Sequence, residues 1–212
     1  VKQKETTAAV RFATILATSL IVLGTYFILT TPSTDKKKYE DKVTENKIDI
    51  GGDFTLTNLK GKKESTKFFS GKYKLIYFGF TYCPDICPAA LNLISETLKI
   101  TEKYGIDVVP IFVTIDPDRD TKEVLAPYLS HFHNKIIGYT GTKEEIKQVA
   151  DLYRVYYAKV IRDDAPAKDY LMDHTSFIYF MSPDTKYIKH FASSSSPEDI
   201  ANFVHQTVKS IK

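Results

Sequence analysis

The chain has 212 residues, 43% hydrophobic and 13% aromatic, enough for a packed domain with an appendage, and that composition excludes disorder throughout. Its net charge of +3 comes from basic residues scattered without a long run, so nothing in it calls for a nucleic acid partner. There are only two cysteines, which can act only with each other or with something they bind together.

In chain order, residues 1–11 form a short N-terminal segment. Phe12 opens 18 residues without a charge, and the uncharged stretch continues through Thr34. That length predicts a single transmembrane helix over 12–34. Arg11 and the Lys36-Lys37-Lys38 cluster bracket it and can reach the two headgroup layers by snorkelling. A secretory signal peptide would carry a shorter apolar region, and no clear small-x-small cleavage site follows Leu29. Both flanks are basic, so charge alone leaves the orientation undecided. Residues 35–49, polar and without apolar periodicity, read as a tether, and a globular domain is expected over 50–212.

Within that domain, 53–58 alternates like a strand and 59–62 reads as the hairpin turn after it. The β-branched and aromatic run 74–80 suits a buried strand, and a helix follows over 88–104. Further strands are expected at 106–115, 136–139 and 154–159, alternating with helices at 121–132 and 142–152. Residues 163–169 are loop-like. A strand pair at 176–181 and 187–191, turned at Pro183-Asp184, and a helix over 197–211 close the chain. This alternation predicts an α/β fold, a mixed sheet flanked by helices of the thioredoxin-like kind.

The cysteines stand in Thr81-Tyr82-Cys83-Pro84-Asp85-Ile86-Cys87-Pro88, between the strand and helix of the first such unit. With Cys87 opening the helix, an i,i+4 spacing brings both sulfurs to one face, where they form a disulfide or grip one soft cation. Backbone N–H groups at a helix start favour a thiolate. A purely structural disulfide would close only a small loop and gain little from doing so. Thioredoxin places two residues between its cysteines and this chain places three, which makes an open metal clamp a better reading than a tuned oxidant.

Of the five histidines, His174 is the candidate third donor, because it stands in Asp173-His174-Thr175-Ser176 where a polar loop enters an apolar strand beside the cysteine turn. His131 and His133 form a His-x-His pair at a helix end and are expected to serve that C-terminus instead. His190 and His205 read as surface residues. Two thiolates and one imidazole suit Cu(I), whereas structural zinc takes four ligands and would need an Asp or a water in addition. The charged loop Asp116, Asp118, Arg119, Asp120 follows a strand end, which gives it either a docking or supporting role or that of a solvated turn with Asp120 as helix N-cap.

The segments LIYFGFTYCPDICP (75–88), VTIDPDRDT (113–121), GTKEEIKQVADLYRVYY (141–157) and Asp173-His174-Thr175, in this order, resemble the Sco family of membrane-anchored copper proteins that assist cytochrome c oxidase assembly. The resemblance runs from about Gly51 to the C-terminus, and the single N-terminal span matches as well. It implies Cys83, Cys87 and His174 as ligands for one copper ion, Cu(I) or Cu(II), with Cys83 and Cys87 also a redox-active pair. The implied task is delivery of copper to the binuclear site of oxidase subunit II. The alternatives are a thiol-disulfide oxidoreductase keeping the subunit II cysteines reduced, and a stably bound accessory subunit of the oxidase. A peroxidase of the peroxiredoxin type is disfavoured, because 78–81 lacks the Pro-x-x-x-Thr-x-x-Cys context. Expected partners are subunit II, an upstream copper donor protein and the membrane, with a homodimer as an option. The expected location is the mitochondrial inner membrane with the domain in the intermembrane space, or a bacterial inner membrane facing the periplasm.

Overall fold

The computed structural model describes residues 49–161, 166 and 170–210, and before them 19, 23 and 25–27. The chain divides into two compact units, 1–48 and 49–212. In the first, the described residues are helical and exposed. The rest of the expected span at 12–34 lies outside the described residues, as does most of the expected tether. Among the described residues no helix is long and apolar enough to cross a membrane.

The second unit is built on a seven-stranded sheet in the order β2-β1-β5-β4-β3-β8-β9, with β6 and β7 forming a separate two-stranded sheet. The strands are β1 (Thr55–Asn58), β2 (Lys63–Ser65), β3 (Tyr73–Gly79), β4 (Val108–Thr114), β5 (Ile137–Thr140), β6 (Tyr157–Ile161), β7 (Tyr170–His174), β8 (Phe177–Met181) and β9 (Tyr187–Ala192). The helices are α1 (Ile86–Lys103), α2 (Lys122–Leu129), α3 (Lys143–Leu152) and α4 (Pro197–Ser210), and a 3-10 turn covers Thr66–Phe69. β3, β4 and β5 run parallel, while β8 pairs with β3 in the antiparallel sense.

The parallel centre explains the apolar runs. Every residue of β4 is buried, as is every residue of β3 after Tyr73, because a strand covered on both faces has no solvent side to alternate with. The first turn forms as expected: Asn58 Oδ1 accepts from the Lys60 and Lys62 amides at 3.0 and 3.1 Å, and Gly61 takes φ +75°, which a side chain would resist. Thr142 and Glu145 close a reciprocal capping box at the start of α3, a device worth about 1 kcal/mol.

Three expectations are corrected. The strand expected at 154–159 is β6, and it leaves the main sheet to pair with β7. β7 itself falls partly where the sequence read as loop, and the described part of the expected loop 163–169 is Pro166 alone. The helix expected from 88 begins two residues earlier, at Ile86.

The topology gathers the site at one end. Gly79 is level with Thr114 across β3 and β4, so the loops 80–85 and 115–121 leave the sheet side by side. Tyr77 pairs with Ile178, so the segment just before β8, which carries His174, arrives at the same end.

Candidate metal centre

Cys87 is the second residue of α1 and is fully buried, while Cys83 on the preceding turn is partly exposed. Both are free thiols. Asp85 occupies the N-cap position but makes no side-chain capping bond. The Cys83 sulfur does that job, accepting the Cys87 backbone N–H at 3.4 Å. A first-turn amide that would otherwise lack a partner is thereby satisfied, and the sulfur gains a donor that favours its anionic form.

The two thiols are driven apart. Hydrogen bonding from the Cys87 thiol, helped by backbone N–H groups, outweighs burial and pulls the Cys83 thiol down to about 4. Cys87 is pushed up by that same bond and by burial. In the metal-free molecule Cys83 is therefore the thiolate and Cys87 holds the shared proton. From below, the Tyr77 hydroxyl donates to the Cys87 sulfur at 3.6 Å. Gly79 makes room for the cluster: a Cβ there would stand 3.0 Å from the Cys87 sulfur and 2.8 Å from the Tyr77 ring.

His174 is the last residue of β7, and its Nε2 lies 3.6 Å from the Cys87 sulfur. Its Nδ1 lies 2.9 Å from the Thr175 carbonyl oxygen. A carbonyl only accepts, so Nδ1 carries a proton and Nε2 is the nitrogen turned toward the cysteines, the one a metal would take. The rings of Phe80 and Tyr77 meet the imidazole edgewise at 5.9 and 6.3 Å and hold its plane.

The donor set fits a soft cation. A thiolate sulfur and an imidazole nitrogen bound to one metal at ~2.3 and ~2.0 Å stand ~3.6 Å apart at an angle near ~110°, and Cys87 and His174 already have that separation. Among the described residues no group of three or more His, Cys, Asp and Glu is closed around a common point. The Cys83 sulfur is instead engaged by the α1 amide.

The loop after β4 is neither a solvated turn nor a helix cap. Asp116 and Asp120 are buried, and the N-cap of α2 is Thr121. Asp120 accepts from the Thr81 amide and hydroxyl at 3.0 and 2.5 Å and from Thr114 at 2.6 Å, which anchors the start of the cysteine turn. Burial still raises its carboxyl above the usual range. Asp118 is the exposed member, bridging Lys143 and Lys159.

His131 is exposed, and His133 lies 3.6 Å from Glu102. His190 Nδ1 lies 2.6 Å from the Tyr187 hydroxyl and His205 stacks on Tyr104. Sequence reasoning missed Tyr77 and Gly79 as supports of the sulfurs, while it did offer a supporting role for the loop that carries Asp120. For Tyr77 the available signal was a hydroxyl within an otherwise apolar run, since a buried phenol needs a partner.

Residues 42–209 match the family model SCO1/SenC. The chain is 44% identical to the SCO2-like protein of Rickettsia felis over 90% of this chain and 93% of that protein. The crystal structure of Arabidopsis thaliana ScoI with copper bound is 42% identical, with a TM-score of 0.70 over 76% of this chain and 99% of that one. Yeast Sco1 with copper bound is 39% identical, also with a TM-score of 0.70, over 76% of this chain and 90% of that one. The chain thus belongs to the SCO1/SenC family.

Proposed function

We propose that Cys83, Cys87 and His174 take one copper ion, and that the chain is a membrane-anchored copper chaperone delivering it to the binuclear site of cytochrome c oxidase subunit II. The observation that carries this reading is the placement of the His174 Nε2 3.6 Å from the Cys87 sulfur, beside the thiolate-favouring Cys83. Copper-bound relatives at 42% and 39% identity support the choice of metal. The copper is cargo. Three donors leave an open face through which entering partner thiolates can displace them one at a time, whereas a closed four-ligand cage resists such exchange.

The span at 12–34 and the tether at 35–49 hold the domain 50–212 at the membrane in this reading. Relatives include proteins named as mitochondrial and proteins of Rickettsia. The mitochondrial inner membrane, domain in the intermembrane space, and a bacterial inner membrane, domain in the periplasm, both accord with them.

The unlike thiols favour one further reading, thiol reduction at subunit II. There the Cys83 thiolate attacks a partner disulfide, Cys87 loses its proton and displaces the partner, and the partner leaves as a dithiol while Cys83 and Cys87 become a disulfide. One experiment separates the two. The copper-loaded chain is mixed with the reduced, metal-free copper domain of subunit II, and the metal-free reduced chain with the oxidised domain. Copper bound to the subunit II domain after the first mixture is separated, read by metal analysis, is the expected result. Thiol release in the second without copper transfer in the first would replace the chaperone reading by the reductase one.

A further inference from the structure

His174 rides on a hairpin, β6 and β7, that shares no backbone ladder with the main sheet. Something else must fix the hairpin against the cysteine turn, and the loop 116–119, with Asp116 buried, is in position to do so. The Tyr170 hydroxyl of β7 donates to Asp116 at 2.6 Å, and Lys159 of β6 reaches Asp118 at 2.8 Å. Arg119 does more than either. Its Nη1 donates to the Tyr170 carbonyl at 2.8 Å, and its Nε donates to Asp116. Its guanidinium carbon lies 3.7 Å from the centre of the Tyr170 ring and 4.7 Å from that of Tyr82, the residue before Cys83. It also lies 5.9 Å from the centre of Phe80, whose edge meets the His174 imidazole. The remaining guanidinium nitrogen, Nη2, is buried without a hydrogen-bond partner, a cost accepted where contact with aromatic faces offsets it.

We infer that Arg119 is a positioning residue of the metal centre: it clamps the His174 hairpin to the cysteine turn through Tyr170 and Tyr82, and so sets the approach of the imidazole to the sulfurs. The inference rests on the three-donor reading above. A planar fork that hydrogen-bonds in two directions while lying over two aromatic rings is a task for arginine, and lysine cannot reproduce it. Without the clamp the hairpin still folds on its own ladder, but His174 is seated for only part of the time. Apparent metal affinity then falls by the seated fraction, on the order of tenfold for the loss of charged hydrogen bonds and stacking.

The test uses the full chain in detergent, as wild type, Arg119→Lys, Arg119→Ala, His174→Ala and the double variant Arg119→Lys with His174→Ala. Two quantities are read: hydrogen exchange of the 170–174 amides in the metal-free chain, and Cu(I) affinity against a competing chelator. The expected result is faster exchange in both Arg119 variants, with a roughly tenfold weaker affinity that His174→Ala abolishes as a difference when combined with Arg119→Lys. Wild-type exchange and wild-type affinity in Arg119→Lys would overturn the inference. If His174→Ala binds Cu(I) as wild type does, the three-donor reading is what fails, and exchange alone then judges the clamp: faster in Arg119→Lys upholds it, unchanged refutes it. Should Arg119→Ala fail to fold, Arg119→Lys decides, since it keeps the charge beside Asp116.

Discussion

Alkylation of Cys83 in the reduced, metal-free chain should follow a pH profile unlike that of an ordinary cysteine. The native thiol is drawn to about 4, against about 8.5 in the unfolded chain. Thiolate nucleophilicity falls with thiol pKa along a Brønsted slope of about 0.45, so a drop of ~4.5 units slows the anion about a hundredfold. At pH 5, however, the native thiol is about nine-tenths ionised and an unfolded one only about three parts in ten thousand. Native Cys83 should therefore react about 30-fold faster than the denatured chain at pH 5, about threefold slower at pH 7 and about a hundredfold slower at pH 9. Iodoacetamide labelling with mass-spectrometric assignment reads all three points. Cys87, buried and raised, should stay unlabelled until the protein unfolds. The linkage has the matching sign. A depressed thiol stabilises the fold fully above the unfolded value of about 8.5. That contribution from Cys83 is lost as the pH falls through about 4. A native rate still climbing tenfold per unit between pH 6 and about 8.5 would refute the assignment of the thiolate to Cys83.

Further outcomes follow from the same contacts. Gly79→Ala forces a Cβ to 2.8 Å from Tyr77 and 3.0 Å from the Cys87 sulfur; overpacking costs about 1–3 kcal/mol, and a thermal midpoint lowered by about 2–12 °C is expected. An unchanged midpoint would mean that the strand shifts freely. Tyr77→Phe removes the hydrogen bond to the Cys87 thiol, which only the reduced pair can use fully. The Cys83–Cys87 reduction potential should become more negative by about 20 mV for a bond worth about 1 kcal/mol, read by equilibration with glutathione; a positive shift contradicts the account. Asp120→Asn removes a buried carboxyl whose pKa is raised. Such a group favours the fold fully below its unfolded value of about 3.9 and loses that contribution as pH rises through its folded value. Denaturant unfolding of the variant should lack that pH dependence and show weaker anchoring of Thr81 at every pH, by about 1–3 kcal/mol; an identical profile would remove Asp120 from the account.

What was legible in the sequence was local. The strand, turn and helix around Cys83 and Cys87 could be read because an apolar run, a proline-flanked turn and an amphipathic helix lie consecutively along the chain. His174 was found from its place at the entry to β8, yet its own strand was not, since Leu171 and Asp173 are exposed and the pairing partner, β6, lies beyond residues of loop composition. Of the two readings of the loop 116–120, the solvated turn fails for a physical reason. Four charged residues in five predict solvent, and only the tertiary fold supplies Thr81, Thr114 and Tyr170 to pay for burying two carboxylates. Arg119 was visible as a charge, but the two rings that enclose it, Tyr82 and Tyr170, are far apart in sequence. No periodicity joins them.

The most direct test of the central claim is an anaerobic Cu(I) titration of the reduced full chain against a competing chelator, with Cys83→Ala, Cys87→Ala and His174→Ala beside wild type. The account predicts a single tight equivalent in wild type, lost with either cysteine and weakened strongly without His174. Tight binding indifferent to His174, or retained after removal of one cysteine, would contradict it.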